Sequence, residues 1–192
     1  MELARKQAFL DRRVLTLATL AALAAAALIS GGPGASSAMA KCANADATVD
    51  EATASELKQA VLCLVNDKRH DRGKPRLDKN ARLQKAALRH NRTMLQDNCW
   101  KHKCEGEPRL EKRIRRTGYF DGASSWAFAQ NFGCALAPQG MLKTWMKSAF
   151  TRNNILGPYE DIGVAAAKET VPSSPCGANR VTYTVVFASR SG

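Results

Sequence analysis

Apolar residues recur at three- and four-residue intervals through the first part of this 192-residue chain and at two-residue intervals towards its end. Leu57, Ala60, Val61, Leu64 and Val65 occupy positions i, i+3, i+4, i+7 and i+8, one stripe of a helix. Thr53-x-x-Glu56 just ahead of them is a capping-box pattern, in which a hydroxyl and a carboxylate each satisfy an orphan amide. A helix is therefore expected from there to about Arg69, followed by a loop at Gly73 and Pro75. A second helix is expected from about Lys79. Leu83, Ala86, Ala87, His90 and Met94 line one of its faces, and Arg82, Lys85, Arg89 and Arg92 return at three- and four-residue steps on the other. A third runs from Pro108, a good first-turn residue, through Leu110 and Ile114 to a stop at Gly118. A fourth spans about Gln139 to Ala149, with Met141, Leu142, Trp145 and Ala149 inward.

The period then changes from helical to alternating. Ile162, Val164 and Ala166 alternate with their neighbours, as do Val181, Tyr183, Val185 and Phe187, so both segments read as strands. A Pro/Ser/Gly-rich connection at residues 172–179 separates them, and residues 124–134 form a further extended segment. No internal repeat is visible. Helices first and strands later in one compact chain argue an α+β fold or a three-layer arrangement.

The length suits one domain with a proper core and is too short for two. The N-terminus stands apart from that domain. Arg5, Lys6, Arg12 and Arg13 form a positive region, residues 14–29 an Ala/Leu-rich apolar run, and Gly31-Gly-Pro33 breaks it before a small-x-small pattern at Ala38-Met-Ala40. This is the layout of a cleaved secretory signal peptide over residues 1–40. The alternative is an uncleaved N-terminal anchor, although 16 residues from Val14 to Ile29 fall short of the roughly 20 needed to span a bilayer. Residues 41–52 read as an irregular lead-in and 53–192 as the folded domain.

All six cysteines, Cys42, Cys63, Cys99, Cys104, Cys134 and Cys176, follow that cleavage site. An even set in an exported chain reads as disulfides. Six cysteines allow 15 pairings. Locality favours Cys42–Cys63, Cys99–Cys104 and Cys134–Cys176. The net charge of +12 favours anionic surfaces without choosing among nucleic acid, acidic wall polymers and lipid head groups.

Trp145-Met-Lys-Ser-Ala-Phe-Thr-Arg-Asn-Asn-Ile-Leu156, with Ile162-Gly-Val behind it, resembles the W-x-x-S-x-x-H-R-x-N-I-L…I-G-V segment of bacterial CAP domains, the SCP-like superfamily of cysteine-rich secretory proteins. Leu64-Val-Asn66-Asp-Lys-Arg69 with Gly73 and Leu77 is similar to that family's opening helix. Leu83-x-x-Ala86-Ala-x-x-His90-x-x-x-Met94 is similar to its second. Trp100-Lys-His102, Gly106, Arg113 and Gly118-Tyr119 continue the likeness in order, over about residues 57–189. The resemblance implies an α-β-α sandwich with a central cleft lined by histidines and acidic residues, suited to metal binding or acid–base work.

Matched position by position, this chain keeps one of those groups, His102, the best catalytic candidate. The family's Gly-Glu-Asn is Ala129-Gln130-Asn131 here, and its second histidine is Thr151, beside Arg152 and Asn154-Ile-Leu156. An amide is no base and a poor zinc ligand, and one histidine cannot build a zinc site. The implied pocket of His102, Gln130, Asn131, Thr151 and Asn154 is polar and chemically disarmed, with no metal and no cofactor expected. Its amides and hydroxyl could equally serve buried backbone groups.

Cys99-x-x-His102-x-Cys104 could be taken for metal ligands, but zinc needs four and no second cluster follows, so a disulfide is the better reading. His70 reads as solvated and His90 as a hydrogen-bonded core residue. Asn91-Arg-Thr93 is a glycosylation sequon in a helical setting. No nucleophile elbow or phosphate loop is present. The basic face of Arg82, Lys85, Arg89 and Arg92 either keeps an exported protein soluble or docks an anionic envelope polymer or lipid surface. Nucleic acid is disfavoured as a partner because the leader removes the chain from the cytoplasm and no recognition motif is present. The expectation is a secreted, extracellular, monomeric binding domain. The alternative is a hydrolase or metal-dependent enzyme using the His102 cleft.

Overall fold

The computed structural model describes residues 42–192, so the leader read at residues 1–40 lies outside the described residues. Residues 42–53 form a turn-rich lead-in, and Thr53 then opens helix α1 (Ala54–His70). The capping box closes both ways: the Thr53 hydroxyl accepts from the Glu56 amide at 3.3 Å, and the Glu56 carboxylate accepts from the Thr53 amide at 2.8 Å. Lys68, Arg69 and His70 occupy the last turn, where positive charge suits the helix dipole. The second helix starts later than the sequence pattern indicates. Asp78–Lys79 is a short strand, β1, and Asn80 caps helix α2 (Ala81–Gln96) by accepting from the amides of Arg82 and Leu83.

Helix α3 (Leu110–Arg115) also begins two residues inside the expected start and ends before Gly118, whose φ of +78° is a left-handed stop. Strand β2 covers Ser125–Ala135. The expected fourth helix is α4 (Pro138–Lys147), with Pro138 in its first turn. A further helix, α5 (Ala149–Leu156), is invisible to the periodicity because only Ile155 on it is buried, leaving no stripe to read. Extended Ser148 (ψ 128°) separates the two helices. Strands β3 (Asp161–Ala167) and β4 (Val181–Ser191) complete the chain.

The strands form one mixed sheet in the order β1-β3-β4-β2, parallel only between β1 and β3. Helices cover both faces, so every residue of β4 from Val181 to Ala188 is buried. The two-residue period still sorts them. Val181, Tyr183, Val185 and Phe187 join Leu57, Val61, Val65, Met141, Trp145 and Ile155 in the larger core, under α1, α4 and α5. Val186 and Ala188 face the other way and pack with Leu83, Ala86, Ala87, Ile114 and Tyr119 under α2 and α3. Each fully buried Val, Leu, Ile or Phe contributes roughly 1.5–3 kcal/mol, so two such cores hold a three-layer α-β-α sandwich of the α+β class.

Gly163 of β3 sets how closely α2 approaches. A Cβ there would lie 2.1 Å from the Leu83 carbonyl carbon, which leaves room only for hydrogen. The three disulfides are Cys42–Cys63, Cys99–Cys104 and Cys134–Cys176, with Cα separations of 5.7, 5.9 and 6.2 Å. They tie the lead-in to α1, close the loop after α2, and fasten β2 to the β3–β4 connection.

Candidate functional site

The candidate residues gather around β2, an edge strand, and the period of two decides where each side chain goes. Gln130 and Asn131 are neighbours and therefore face opposite sides of the sheet. Gln130 is buried against α3, where its Oε1 accepts from Arg113 Nη2 at 2.6 Å. Asn131 is buried against α5, where its amide donates to the Thr151 carbonyl at 3.0 Å and its oxygen accepts from Asn154 Nδ2 at 2.8 Å. The Thr151 hydroxyl donates to the Trp145 carbonyl at 2.5 Å, holding the corner between α4 and α5. The set of five that the sequence places in one pocket is thus divided between the two faces of a strand.

On the α2/α3 side a buried ionic network takes shape. Arg113 Nη1 donates to Glu107 Oε1 at 3.0 Å, and Arg113 Nη2 also donates to the His102 carbonyl at 3.0 Å. Both Glu107 oxygens lie 2.9 Å from His90 Nδ1, and Oε2 accepts from the Cys104 amide at 3.2 Å. His90 and Glu107 are therefore linked, yet burial holds the His90 pKa below its ordinary value against the pull of Glu107. The positive charge of Arg113 opposes the proton as well. Glu107 stays below the usual carboxylate range: burial works the other way, but the His90 hydrogen bond, the nearby charges of His90 and Arg113 and the Cys104 amide outweigh it. Arg113 Nε and Gln130 Nε2 have no hydrogen-bond partner among the described residues.

His102 sits above this network on the loop between α2 and α3, its side chain exposed. Its ring makes T-shaped contacts with Phe132 at 4.7 Å and Phe150 at 6.0 Å. Desolvation by that packing, then the proximity of His90 and Arg113, lowers its pKa. The neutral imidazole is favoured, and among the described residues no carboxylate orients it. The network's one acid, Glu107, is already bound by His90, Arg113 and a backbone amide. Among the described residues no group of three or more His, Cys, Asp or Glu side chains is placed to hold a metal ion.

Glu107 and the bridging role of Arg113 escape a sequence reading. Glu107 lies between Gly106 and Pro108 in a loop, with no periodicity to mark it. Asn91 of the sequon is buried, donating to the Thr182 carbonyl and accepting from the Thr184 hydroxyl, so its amide is closed to modification. Arg82, Lys85, Arg89 and Arg92 are all exposed on α2, while Leu83, Ala87 and Met94 are buried beneath them.

The sequence profile of the cysteine-rich secretory protein family, CAP, matches residues 62–187, a span from within α1 into β4 that carries most of both cores and the network. The chain belongs to the CAP family. Solved structures share the CAP architecture. An outer surface protein from Borrelia burgdorferi aligns with a TM-score of 0.61 at 14% identity, over 73% of this chain and 97% of that one. An extracellular protein containing an SCP domain from Bacillus anthracis gives 0.54 at 20%, over 71% of this chain and 43% of that one. A cysteine-rich secretory protein from Staphylococcus aureus gives 0.50 at 17%, over 71% and 39%. This CAP domain spans less than half the length of the last two. At such identities the likeness is one of fold. No curated protein matches the chain.

Proposed function

We propose that this CAP domain is exported and works by binding an anionic polymer at the cell envelope or outside the cell, without chemistry at the His102 position. The observation that carries the reading is the α2 face: Arg82, Lys85, Arg89 and Arg92 stand exposed on one side of a helix whose other side is buried in the core. None of the four makes a salt bridge among the described residues. Like charges at three- and four-residue spacing repel by a few tenths of a kcal/mol per pair, a penalty that an anionic partner offsets. Export is supported by the leader-like N-terminus and three disulfides, which persist in oxidising compartments. It is supported further by the outer-surface and extracellular descriptions of the proteins that share the fold.

Catalysis is disfavoured because Gln130 Oε1 is held by Arg113 and the Thr151 hydroxyl by a backbone carbonyl, leaving His102 without an acid or base partner. The test is retention of the mature protein on envelope fractions at rising salt, with anionic vesicles as the comparison surface. Retention at low salt and release as the Debye length shrinks below ~8 Å are expected. Changing the four basic residues to Gln weakens retention without unfolding the domain. Equal retention of wild type and the quadruple variant at every salt concentration overturns the reading.

A further inference from the structure

A second surface differs from the basic face in chemistry and position. The loop after α2 borders a depression of about 850 Å³, lined among others by Asp97, Asn98, Trp100, Lys101, Lys103 and Glu105. That volume is within the range of small-ligand sites. We infer that this depression is a binding site for a neutral glycan segment, a reading that rests on the envelope-binding role above and adds a selective contact to it.

The loop's backbone is clamped along its length. The Cys99–Cys104 disulfide closes it. The Cys99 amide donates to the Met94 carbonyl at 2.9 Å, the Cys104 amide to Glu107 at 3.2 Å, and Arg113 grips the His102 carbonyl at 3.0 Å. Also in the lining, the Ser173 amide donates to Asn98 Oδ1 at 2.7 Å and the Ser173 hydroxyl to the Asn98 carbonyl at 2.9 Å. Asn98 holds a φ of +47° in this latch, a left-handed conformation that asparagine tolerates better than most residues. Lys101, Lys103 and Glu105 nonetheless remain exposed, and Trp100 is half-buried, fixed by a T-shaped contact to Phe132 at 4.9 Å. A clamped backbone that leaves its charged side chains to solvent and holds its indole half-exposed is preorganised for a ligand, with little ordering entropy left to lose on binding.

The lining chemistry selects the ligand class. The lining carries two ammonium groups, Lys101 and Lys103, and two carboxylates, Asp97 and Glu105, so the site has no net charge to favour a polyanion. An apolar ligand would desolvate those four ions without replacing their hydrogen bonds. Sugar hydroxyls both donate and accept, so they satisfy ammonium, carboxylate and amide groups together. The indole of Trp100 supplies the apolar surface that a pyranose ring's C–H face requires, with a polar handle beside it.

The experiment uses the mature, oxidised protein and two soluble neutral probes, the β-1,4-linked tetramer of N-acetylglucosamine and cellotetraose. Binding is followed through the indole NMR crosspeaks at about 1 M salt, where the Debye length of ~3 Å silences the basic face. At least one probe is expected to shift the Trp100 crosspeak saturably, with the Arg82/Lys85/Arg89/Arg92 Gln variant binding as wild type does. Trp100→Ala, which removes that crosspeak and is therefore read by titration calorimetry at the same salt, weakens binding at least about tenfold, ~1.4 kcal/mol. A double change of the exposed Lys101 and Lys103 to Ala, which leaves the core untouched, weakens it as well. No shift with either probe overturns the site, and so does binding that survives both variants. Retention on envelopes with no glycan binding removes this site alone, whereas glycan binding without salt-sensitive retention removes the basic-face reading alone.

Discussion

Arg69 is the place where removing one side chain tests the fold most directly. It is buried in the last turn of α1, and among the described residues its guanidinium donates to backbone carbonyls and is paired with no carboxylate. Nε donates to Pro75 at 2.7 Å, Nη1 to Ile155 and Gly157 at 2.8 Å each, and Nη2 to Tyr159 at 3.3 Å. Burial lowers its pKa, but arginine keeps its proton under any condition a protein survives. In Arg69→Met the Ile155 carbonyl loses its partner in the interior, at about 1–3 kcal/mol. The three part-buried carbonyls gain water in compensation, and the relief of burying a charge offsets some of the rest. The net is a loss of about 2 kcal/mol. For a domain of about 150 residues, where 1 kcal/mol moves Tm by ~2–4 °C, this is a drop of roughly 4–8 °C. Arg69→Lys should fall between the two, since an ammonium keeps the charge and cannot reproduce the fork. Thermal unfolding followed by circular dichroism, disulfides intact, measures both, and amide exchange at residues 155–160 reports the freed loop. A Tm within about 3 °C of wild type for Arg69→Met would show that the chain after α5 is held by something other than this guanidinium.

Lowering pH from about 7 to about 5 should destabilise the domain, because the buried, depressed His90 resists a proton that the unfolded chain accepts below ~6.5. Stability contributed this way is present above the unfolded pKa and lost as pH falls towards the folded one, at up to about 1.4 kcal/mol per pH unit for one histidine. The lowered Glu107 is silent in that window, since its unfolded pKa is ~4.3. Urea unfolding across the range reads the slope, and a flat profile contradicts it. Thr151→Val should lose about 1–2 kcal/mol through the orphaned Trp145 carbonyl, measured by the same unfolding curve, with no effect on envelope retention. Titration calorimetry with zinc should show no stoichiometric binding. Tight binding abolished by His102→Ala would restore a metal-dependent reading. Cys134/Cys176→Ser closes no loop of 42 residues and should cost about 4 kcal/mol, against about 2 kcal/mol for Cys99/Cys104→Ser with its separation of five, by differential scanning calorimetry.

Much of the architecture is legible because burial on one side leaves a period. The α1 stripe, the Thr53–Glu56 box and the two faces of α2 are written in three- and four-residue steps, and the structure keeps them. What escapes has no period to show. α5 buries only Ile155, β1 is a two-residue pairing decided by its neighbour β3, and the alternation along β4 hides that both of its faces are covered. The site escapes for a different reason. A family match places Gln130 and Asn131 side by side, and only the strand assignment reveals that they serve opposite layers. Glu107 is one acid in a loop, and its importance comes from Arg113 and His90 arriving from two helices.

The residues that carry the family likeness are those whose side chains are consumed in holding backbone. Asn66 donates to the Leu77 carbonyl and accepts from the Leu77 amide, so it fixes the turn into β1. Trp145 donates to Phe132, Arg152 to Met146, and Asn154 to Asn131, while Ile155 fills the core. Such groups specify an α-β-α sandwich whatever the protein binds, which is why the match reports architecture with authority and ligand chemistry hardly at all. A side chain already satisfied inside the fold has nothing left to offer a partner. The proposed recognition draws instead on groups the fold leaves largely in solvent, among them Lys85, Arg89 and Arg92 of α2 and the Lys101 and Lys103 side chains of the clamped loop. The first set is a field that any polyanion feels and salt erases. The second has shape, balanced charge and an indole, so under the proposed reading it is the set that can discriminate between partners.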